Sequence, residues 1–328
     1  MERTRRALIL GATGGVGGET AKALARRGWH LRALTRRDGD LPDLGAVDWR
    51  RGDAMNPADV IAAAEGCDVI LHAVNPPGYR DWAGRVLPML DATLAAAARH
   101  GARIALPGTI YNYGPDHPLL TEDTPQHPVS VKGAIRVEME RRLAASGLPV
   151  LILRAGDFFG PHAGNSWFGE SMVKPGRPLS SITYPGEPEV GHAWAYLPDV
   201  GETFARLLAR EADLPRVARF HFAGHWCDRG IDFAEAVRDA AGRPDAAIRR
   251  MPWWALRLAA PAVPLFREIL EMRYLWRCPL RLDNRRLVDF LGEEPHTSLP
   301  TALRDSLAAL GCLDGAVRPG GHPSAAGA

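Results

Sequence analysis

The 328 residues contain four cysteines, Cys67, Cys227, Cys278 and Cys312, far apart and with no CxxC pair. That spacing supports neither a zinc site nor a disulfide framework, so four free thiols in a reducing cytoplasm is the reading adopted. The chain also lacks a strong charge of either sign. Forty basic residues against 38 acidic ones give a formal net charge of +2, spread along the sequence. A nucleic-acid or anionic-membrane partner is therefore not expected. No apolar run is long enough to cross a bilayer core of about 30 Å. The most apolar stretch, Trp253 to Phe266, is interrupted by Arg257, Pro261 and Pro264. The first six residues lead directly into a strand pattern rather than into a signal-peptide apolar region. These absences point to a soluble cytoplasmic protein of ordinary globular composition, 46% hydrophobic and 24% charged.

Short apolar runs alternate with helical patterns through the first half. Ala7–Leu10, Leu31–Leu34, Asp68–Ala73, Arg103–Leu106 and Val150–Leu153 read as buried strands. Helices are expected over Gly18–Arg27, Val86–His100 and Val131–Ala145. Buried strands separated by helices imply a parallel sheet covered on both faces, a doubly wound α/β fold. Residues 161–189 are rich in Gly, Pro and Ser and read as loops over a cleft. A helix starting near Asp199 and a strand at Phe220–Ala223 are expected to return to the sheet. Residues 230–310 read as a mostly helical lobe, and the Gly/Pro/Ala tail 315–328 as disordered. The division expected is a dinucleotide-binding unit over 1–160 completed by about 195–224. A substrate lobe over 161–194 and 225–312 and a tail over 313–328 make up the rest.

Gly11-Ala12-Thr13-Gly14-Gly15-Val16-Gly17 carries the strongest chemical signal. It sits between a strand and a helix, where glycines permit a tight turn and let backbone N–H groups approach a pyrophosphate at the helix N-terminus. The end of the second strand discriminates between NAD and NADP. An acidic residue about twenty positions beyond the glycines would bind the ribose 2′-hydroxyl. This chain instead reads Thr35-Arg36-Arg37, with no carboxylate until Asp38. Arg36 is suited to clamp a 2′-phosphate and Arg37 to stack on the adenine, so NADP(H) is the expected cofactor.

Beyond these residues, the chain resembles the NAD-dependent epimerase/dehydratase branch of the extended, or atypical, short-chain dehydrogenase/reductases, over roughly residues 5–310. The resemblance implies an adenine-contacting acid at Asp53 next to Ala54, and a cofactor-lining segment at Ala73, Val74 and Asn75. It also implies a segment near the nicotinamide at Ala155, Gly156 and Phe158. Asp199, in Tyr196-Leu197-Pro198-Asp199, is a plausible helix N-cap. Members of this family use a Ser/Thr with a Tyr and a Lys in a YxxxK pattern. Thr109 takes the Ser/Thr role in the resemblance, but the YxxxK position reads Lys132-Gly133-Ala134-Ile135-Arg136. The tyrosine is absent. In one reading Lys132 stands where the tyrosine was and Arg136 where the lysine was. In another, the chain is similar to the isoflavone-reductase and phenylcoumaran-ether-reductase-like proteins, whose lysine is the proposed acid/base. Both converge on Lys132, as cofactor contact and as catalytic group, with Tyr113 or Tyr111 as alternative phenols.

The family layout brackets the substrate pocket with Asp157, His162, Asn165 and Trp167 on one side and His192 and Trp194 on the other. Tyr79, Trp82 and Tyr111 add to an aromatic mouth. His162 and His192 lack metal-ligand spacing, so no metal is expected. Met251–Trp276, with Trp253 and Trp254 at helix-like intervals, is expected to roof the pocket or pack on a second subunit in a homodimer. Taken together, the residues suggest an NADP(H)-dependent reductase of a small, partly aromatic carbonyl or activated alkene. A redox-neutral sugar-nucleotide epimerase/dehydratase and a non-catalytic NADP(H) sensor are the alternatives.

Overall fold

The computed structural model describes residues 4–39, 41–76, 81–162 and 166–314. In chain order the first elements are β1 (Arg6–Leu10), α1 (Gly15–Ala25), β2 (His30–Thr35), β3 (Val47–Arg51), α2 (Pro57–Ala63) and β4 (Val69–His72). Then come α3 (Trp82–His100), β5 (Arg103–Thr109), β6 (Leu119–Leu120), α4 (Val131–Ala145), β7 (Val150–Ala155) and β8 (Asp157–Phe159). A π-helical turn at Phe168–Met172 precedes β9 (Ser181–Tyr184), β10 (His192–Tyr196), α5 (Leu197–Ala209), β11 (Val217–His221) and β12 (His225–Cys227). The remainder is α6 (Ile231–Ala240), β13 (Ala247–Arg250), α7 (Trp253–Ala259), α8 (Pro264–Glu271), β14 (Arg281–Leu282), α9 (Arg285–Leu291) and α10 (Leu299–Ala309).

Seven strands form one parallel sheet in the order β11-β7-β5-β4-β1-β2-β3. The chain winds outward from β1 in both directions, so the strand order reverses there. The crevice beyond the carboxyl ends of β1 and β4 is the place where such sheets bind ligands. Strands β4, β5 and β7 are buried along their whole length, which is why they read as continuous apolar runs rather than alternating ones. One core packs the sheet against α1 and α5, with Ile9, Leu24, Leu151 and Phe204 fully buried. The other packs it against α2, α3 and α4, through Leu8, Val60, Leu90 and Met139. Helices α1 and α5 are in close backbone contact, because a Cβ on Gly201 would lie 2.6 Å from the Glu19 carbonyl carbon.

Beyond the sheet, Phe159, Phe168, Trp194, Phe233 and Trp276 build an aromatic core beneath α6 and α10. Trp194 stacks on Phe233 at 3.9 Å and meets Phe159 edge-on at 6.3 Å. The segment read as cleft-covering loops therefore also contributes β9 and the π-helical turn, while β10 continues into α5. Strands β9 and β10 are only four and five residues long. Edge strand β3 is missing from the sequence reading because it is largely exposed and carries Asp48, Arg50 and Arg51.

Three boundaries differ for physical reasons. Helix α1 starts at Gly15 rather than Gly18, because its first turn is the glycine loop itself. Helix α3 starts four residues early, anchored by the buried Trp82, and runs through Pro88. Asp199 is not the N-cap of α5, a place held by Tyr196. Its carboxylate instead accepts from the Thr297 backbone N–H (2.7 Å) and hydroxyl (2.8 Å), tying α5 to the segment before α10. All four cysteines are free. No helix among the described residues is long and apolar enough to cross a membrane. The proposed tail 315–328 lies outside the described residues, as do Tyr79 and Asn165.

Candidate active site

A cleft of about 580 Å³ opens along the carboxyl ends of the strands. Its floor at one end is the glycine loop. Gly11 has φ +89°, the left-handed region, and a Cβ there would lie 2.4 Å from the Ala73 carbonyl oxygen at the end of β4. Gly17 does not line the cleft. It lets α1 approach the loop, since its Cβ would lie 2.2 Å from the Gly11 oxygen. The N-terminus of α1 has neither a side-chain cap nor an acidic residue in its first turn. Its unsatisfied N–H groups and positive dipole end thus face the cleft where Thr13, Gly14, Gly15 and Val16 line it. That arrangement fits a pyrophosphate.

Farther along the sheet edge, Thr35, Arg36, Arg37, Gly52, Asp53 and Ala54 line the end beyond β2 and β3. Arg36 lies 3.9 Å from the Asp53 carboxylate, and the N–H of Arg37 donates to Thr35 Oγ1 at 3.1 Å. Asp38, the first acid past β2, is absent from the lining and pairs with Arg51. On the other side of β1 the cleft is walled by Ala73, Val74, Asn75, Met89, Tyr111, Asp157, Phe158, His162, Ser166, Trp167, Glu170 and Leu197. From β2 to β7 is four inter-strand spacings of ~4.8 Å, so the cleft spans about 19 Å, room for an extended dinucleotide.

At the far end the side chains are held firmly. Asp157 is 5% exposed, and His192 Nε2–H donates to its Oδ2 at 2.8 Å. His192 lies flat on Trp276, 4.0 Å between ring centroids and 6° between planes. Trp167 packs edge-on against the same Trp276 at 5.3 Å. His192 and Trp194, expected to contact substrate, are instead buried behind the wall, His192 bonded to Asp157 and Trp194 packed edge-on against Phe159. His162 lines the cleft and bonds to Glu19 at 3.0 Å. Burial would raise the Glu19 carboxyl, but hydrogen bonds from His162 and Lys22 outweigh it and hold it below the usual range.

The expected acid/base groups are scattered. Lys132 is buried but is not part of the lining. Its ammonium lies between Glu268 and Glu271 of α8, 2.6 Å from the latter's Oε2. Arg136 also lies behind the wall, donating to Asn75 Oδ1 at 3.2 Å with its guanidinium over the Trp82 ring. Trp82 is therefore a support for Arg136 rather than part of the mouth. Thr109 Oγ1 accepts from the Tyr111 N–H at 3.3 Å, capping the 3₁₀ turn Ile110–Asn112. Tyr113 points into a buried network: its hydroxyl accepts from Arg154 at 2.6 Å, and Arg154 is paired with Glu140. Burial pushes the Tyr113 phenol up to about 12. Among the described lining residues Tyr111 is the one tyrosine. Its backbone packs closely on α4, where a Gly133 Cβ would lie 2.2 Å from the Tyr111 backbone carbonyl oxygen. Ala155 and Gly156 are likewise outside the lining; a Gly156 Cβ would meet the Ala193 oxygen at 2.4 Å, so that glycine joins β8 to β10.

Sequence reasoning overlooked Ser166, Glu170, Met89 and Leu197. Leu197 had a signal, as part of the Tyr196-Leu197-Pro198-Asp199 segment, and Ser166 lay within the segment expected to bracket the cleft. Glu170 sits on a π-helical turn, which has no recognisable periodicity. The α7–α8 segment does not line the cleft; it buttresses it through Trp253 against Trp167 and through the two glutamates on Lys132.

Residues 11–167 match the family described as NAD(P)H-binding. That match covers just under half of the chain, and the fold of the matched part is of the Rossmann type. Solved structures extend the likeness to the whole fold. The chain superimposes on the Bordetella bronchiseptica enzyme WbmH in complex with NAD+ with a TM-score of 0.68 at 17% identity, covering 94% of this chain and 98% of that one. UDP-glucuronic acid 4-epimerase from Bacillus cereus, solved with UDP-glucuronic acid and NAD, gives 0.71 at 15% identity, covering 93% and 98%. These likenesses show the fold, a Rossmann-type doubly wound sheet with a smaller lobe. A curated relative, 3-diazoavenalumate denitrifying reductase from a Streptomyces species, is 28% identical over 192 residues. That match spans 52% of this chain and 61% of the relative.

Proposed function

We propose that this Rossmann-type domain serves an NADPH-dependent reductase acting on a small, partly aromatic carbonyl or activated alkene. The observation that carries the cofactor preference is the pair Arg36 and Arg37 lining the cleft beyond β2, with no carboxylate at that strand end. A guanidinium there suits a 2′-phosphate and has no counterpart role for a bare ribose hydroxyl. The N–H groups at the start of α1 would hold the pyrophosphate, Arg36 the 2′-phosphate, and Phe158 and Asn75 the nicotinamide end. When bound, NADPH supplies a hydride from nicotinamide C4.

The chain's own part is placement. Tyr111, Trp167 and Phe158 offer an apolar, aromatic wall to a flat acceptor. Any proton an acceptor oxygen requires comes from Tyr111 or from water, because Lys132 and Tyr113 are committed to carboxylates and to Arg154. Lys132 and Arg136 then act as positioning residues behind the cleft. The curated relative's printed name, a denitrifying reductase, supports a net reduction. The likeness to UDP-sugar epimerases favours a second reading, redox-neutral turnover of a sugar nucleotide. A binding titration with NADPH and NADH, followed by NADPH oxidation with aryl carbonyl acceptors, tests the first. Co-purified cofactor with no net consumption would favour the second, and tight NADPH binding with no turnover would favour a sensor.

A further inference from the structure

Two consecutive helices stand outside the hydrophobic cores. Neither α7 nor α8 has a buried residue, and the two pack on each other as a helical hairpin. One side of the hairpin is fastened to the molecule. The Trp253 indole donates to the Pro185 carbonyl at 2.8 Å and its ring packs against Trp167, while Glu268 and Glu271 hold the Lys132 ammonium. The other side is bare. Six large hydrophobic side chains are exposed among the described residues, and Trp254, Leu258 and Leu265 of this hairpin are three of them. Trp254 and Leu258, 71% and 76% exposed, are four residues apart and share one face of α7. Val129 and Val131, two more of the six, flank the hairpin, because the N–H of Lys132 donates to Glu271 Oε1 at 2.9 Å.

Exposed apolar side chains gathered in one place mark a contact surface. Charge and composition identify what it meets. From Leu258 to Phe266 there is neither a charged side chain nor a side-chain hydrogen-bonding group, and Arg257 and Arg267 bound that run at its two ends. The net charge of +2 for the whole chain hides a local excess of arginine. Residues 249–277 hold six arginines and two glutamates, and both glutamates serve Lys132. Arg249, Arg257, Arg267 and Arg277 are exposed and have no ion-pair partner among the described residues. A second copy docking through the same patch about a two-fold axis would bring these arginines towards their own counterparts, which is unfavourable. An anionic bilayer surface accepts both parts of the patch. Hydrocarbon beneath the headgroups takes Trp254, Leu258 and Leu265, and lipid phosphates take the guanidiniums.

We propose that α7 and α8 form an interfacial anchor that docks this chain on anionic phospholipid, lying in the headgroup boundary rather than crossing it. Trp253 at the base of the anchor packs against Trp167 of the cleft wall, so docking sets the substrate end of the cleft beside the lipid.

The test is co-sedimentation of the full chain with vesicles of phosphatidylcholine alone, and with vesicles of three parts phosphatidylcholine to one part phosphatidylglycerol. The chain binds the anionic vesicles at least about 30-fold more tightly, from about 5-fold for each of two arginines at the surface, and high salt removes the preference. Arg257→Gln with Arg267→Gln weakens binding to anionic vesicles by that factor and leaves binding to neutral ones unchanged. Leu258→Ser with Leu265→Ser weakens binding to both by about 10-fold or more, the worth of burying a leucine. All four positions are exposed, so both double variants keep the wild-type melting temperature. Sedimentation with neither vesicle, or binding that both double variants leave unchanged, overturns the proposal. So does a dimer, seen by light scattering, that the leucine variant dissociates while no vesicle is bound.

Discussion

Gly17→Ala separates the loop's geometry from simple backbone strain. Gly17 is not in the left-handed region, so alanine is conformationally acceptable there. Its Cβ would nevertheless lie 2.2 Å from the Gly11 oxygen and 2.7 Å from the Gly11 carbonyl carbon, both backbone atoms that cannot swing aside. Ordinary contact begins at 3.4 Å, so α1 and the loop must separate by 3.4 − 2.2 = 1.2 Å. Overpacking of this kind costs about 1–3 kcal/mol. For a chain of this size that is a fall of roughly 2–10 °C in melting temperature. A displacement of this size also moves the α1 N–H groups off the pyrophosphate, and NADPH affinity falls by about 100-fold or more, as expected when charge-assisted bonds worth about 3 kcal/mol are lost. Gly28→Ala is the control. It has φ +74° with nothing within 4 Å of a Cβ, so it pays about 1 kcal/mol of strain and leaves NADPH binding unchanged. Thermal melts and NADPH titrations on both variants check this. Wild-type affinity in Gly17→Ala would refute the reasoning, because it would mean that the pyrophosphate does not sit on the start of α1.

Two further outcomes follow from buried groups. Burial drives His72 and His221 down to about 3 and His225 to about 4, so all three are neutral in the fold and bind protons only when it opens. The unfolded chain then holds more protons below about pH 6.5, and stability present above that pH is lost as pH falls towards 3, by up to about 1.4 kcal/mol per pH unit for each histidine. Melting temperature should therefore decline from about pH 6.5 downwards, and His225→Phe should flatten the slope; a flat profile to about pH 5 would contradict this. Lys132→Ala leaves Glu268 and Glu271 facing each other without their shared cation and should cost about 2 kcal/mol in a denaturant titration, with NADPH affinity unchanged. A collapse of NADPH affinity with intact stability would instead return Lys132 to the cofactor.

The sheet and the glycine loop were legible because their signals are local: buried strands are continuous apolar runs, and a Gly-rich turn between strand and helix has one common use. The ends of strands were legible in two ways: Arg36 from its position past the second strand, and Asp53, Ala73 to Asn75, Asp157 and Phe158 from the family resemblance, and all of them line the cleft. Roles decided by where a helix is rotated or what a distant segment brings were not. Lys132 and Arg136 share a face of α4, yet that face turns toward Glu271 of α8 and Asn75 at the end of β4, contacts 139 and 61 residues apart in sequence. Tyr111 and Tyr113 are two residues apart on a short turn. Which of them meets the cleft depends on Arg154, whose need for a buried partner takes Tyr113. Glu170, on a π-helical turn, had no pattern to read.

The most direct measurement is NADPH and NADH affinity, by tryptophan fluorescence, for the wild type and Arg36→Ala. Tighter binding of NADPH, reduced by about 10- to 100-fold in the variant while NADH is unaffected, is the outcome predicted from a charge-assisted bond to a 2′-phosphate. Equal affinity for the two cofactors, or no change on removing Arg36, would contradict it.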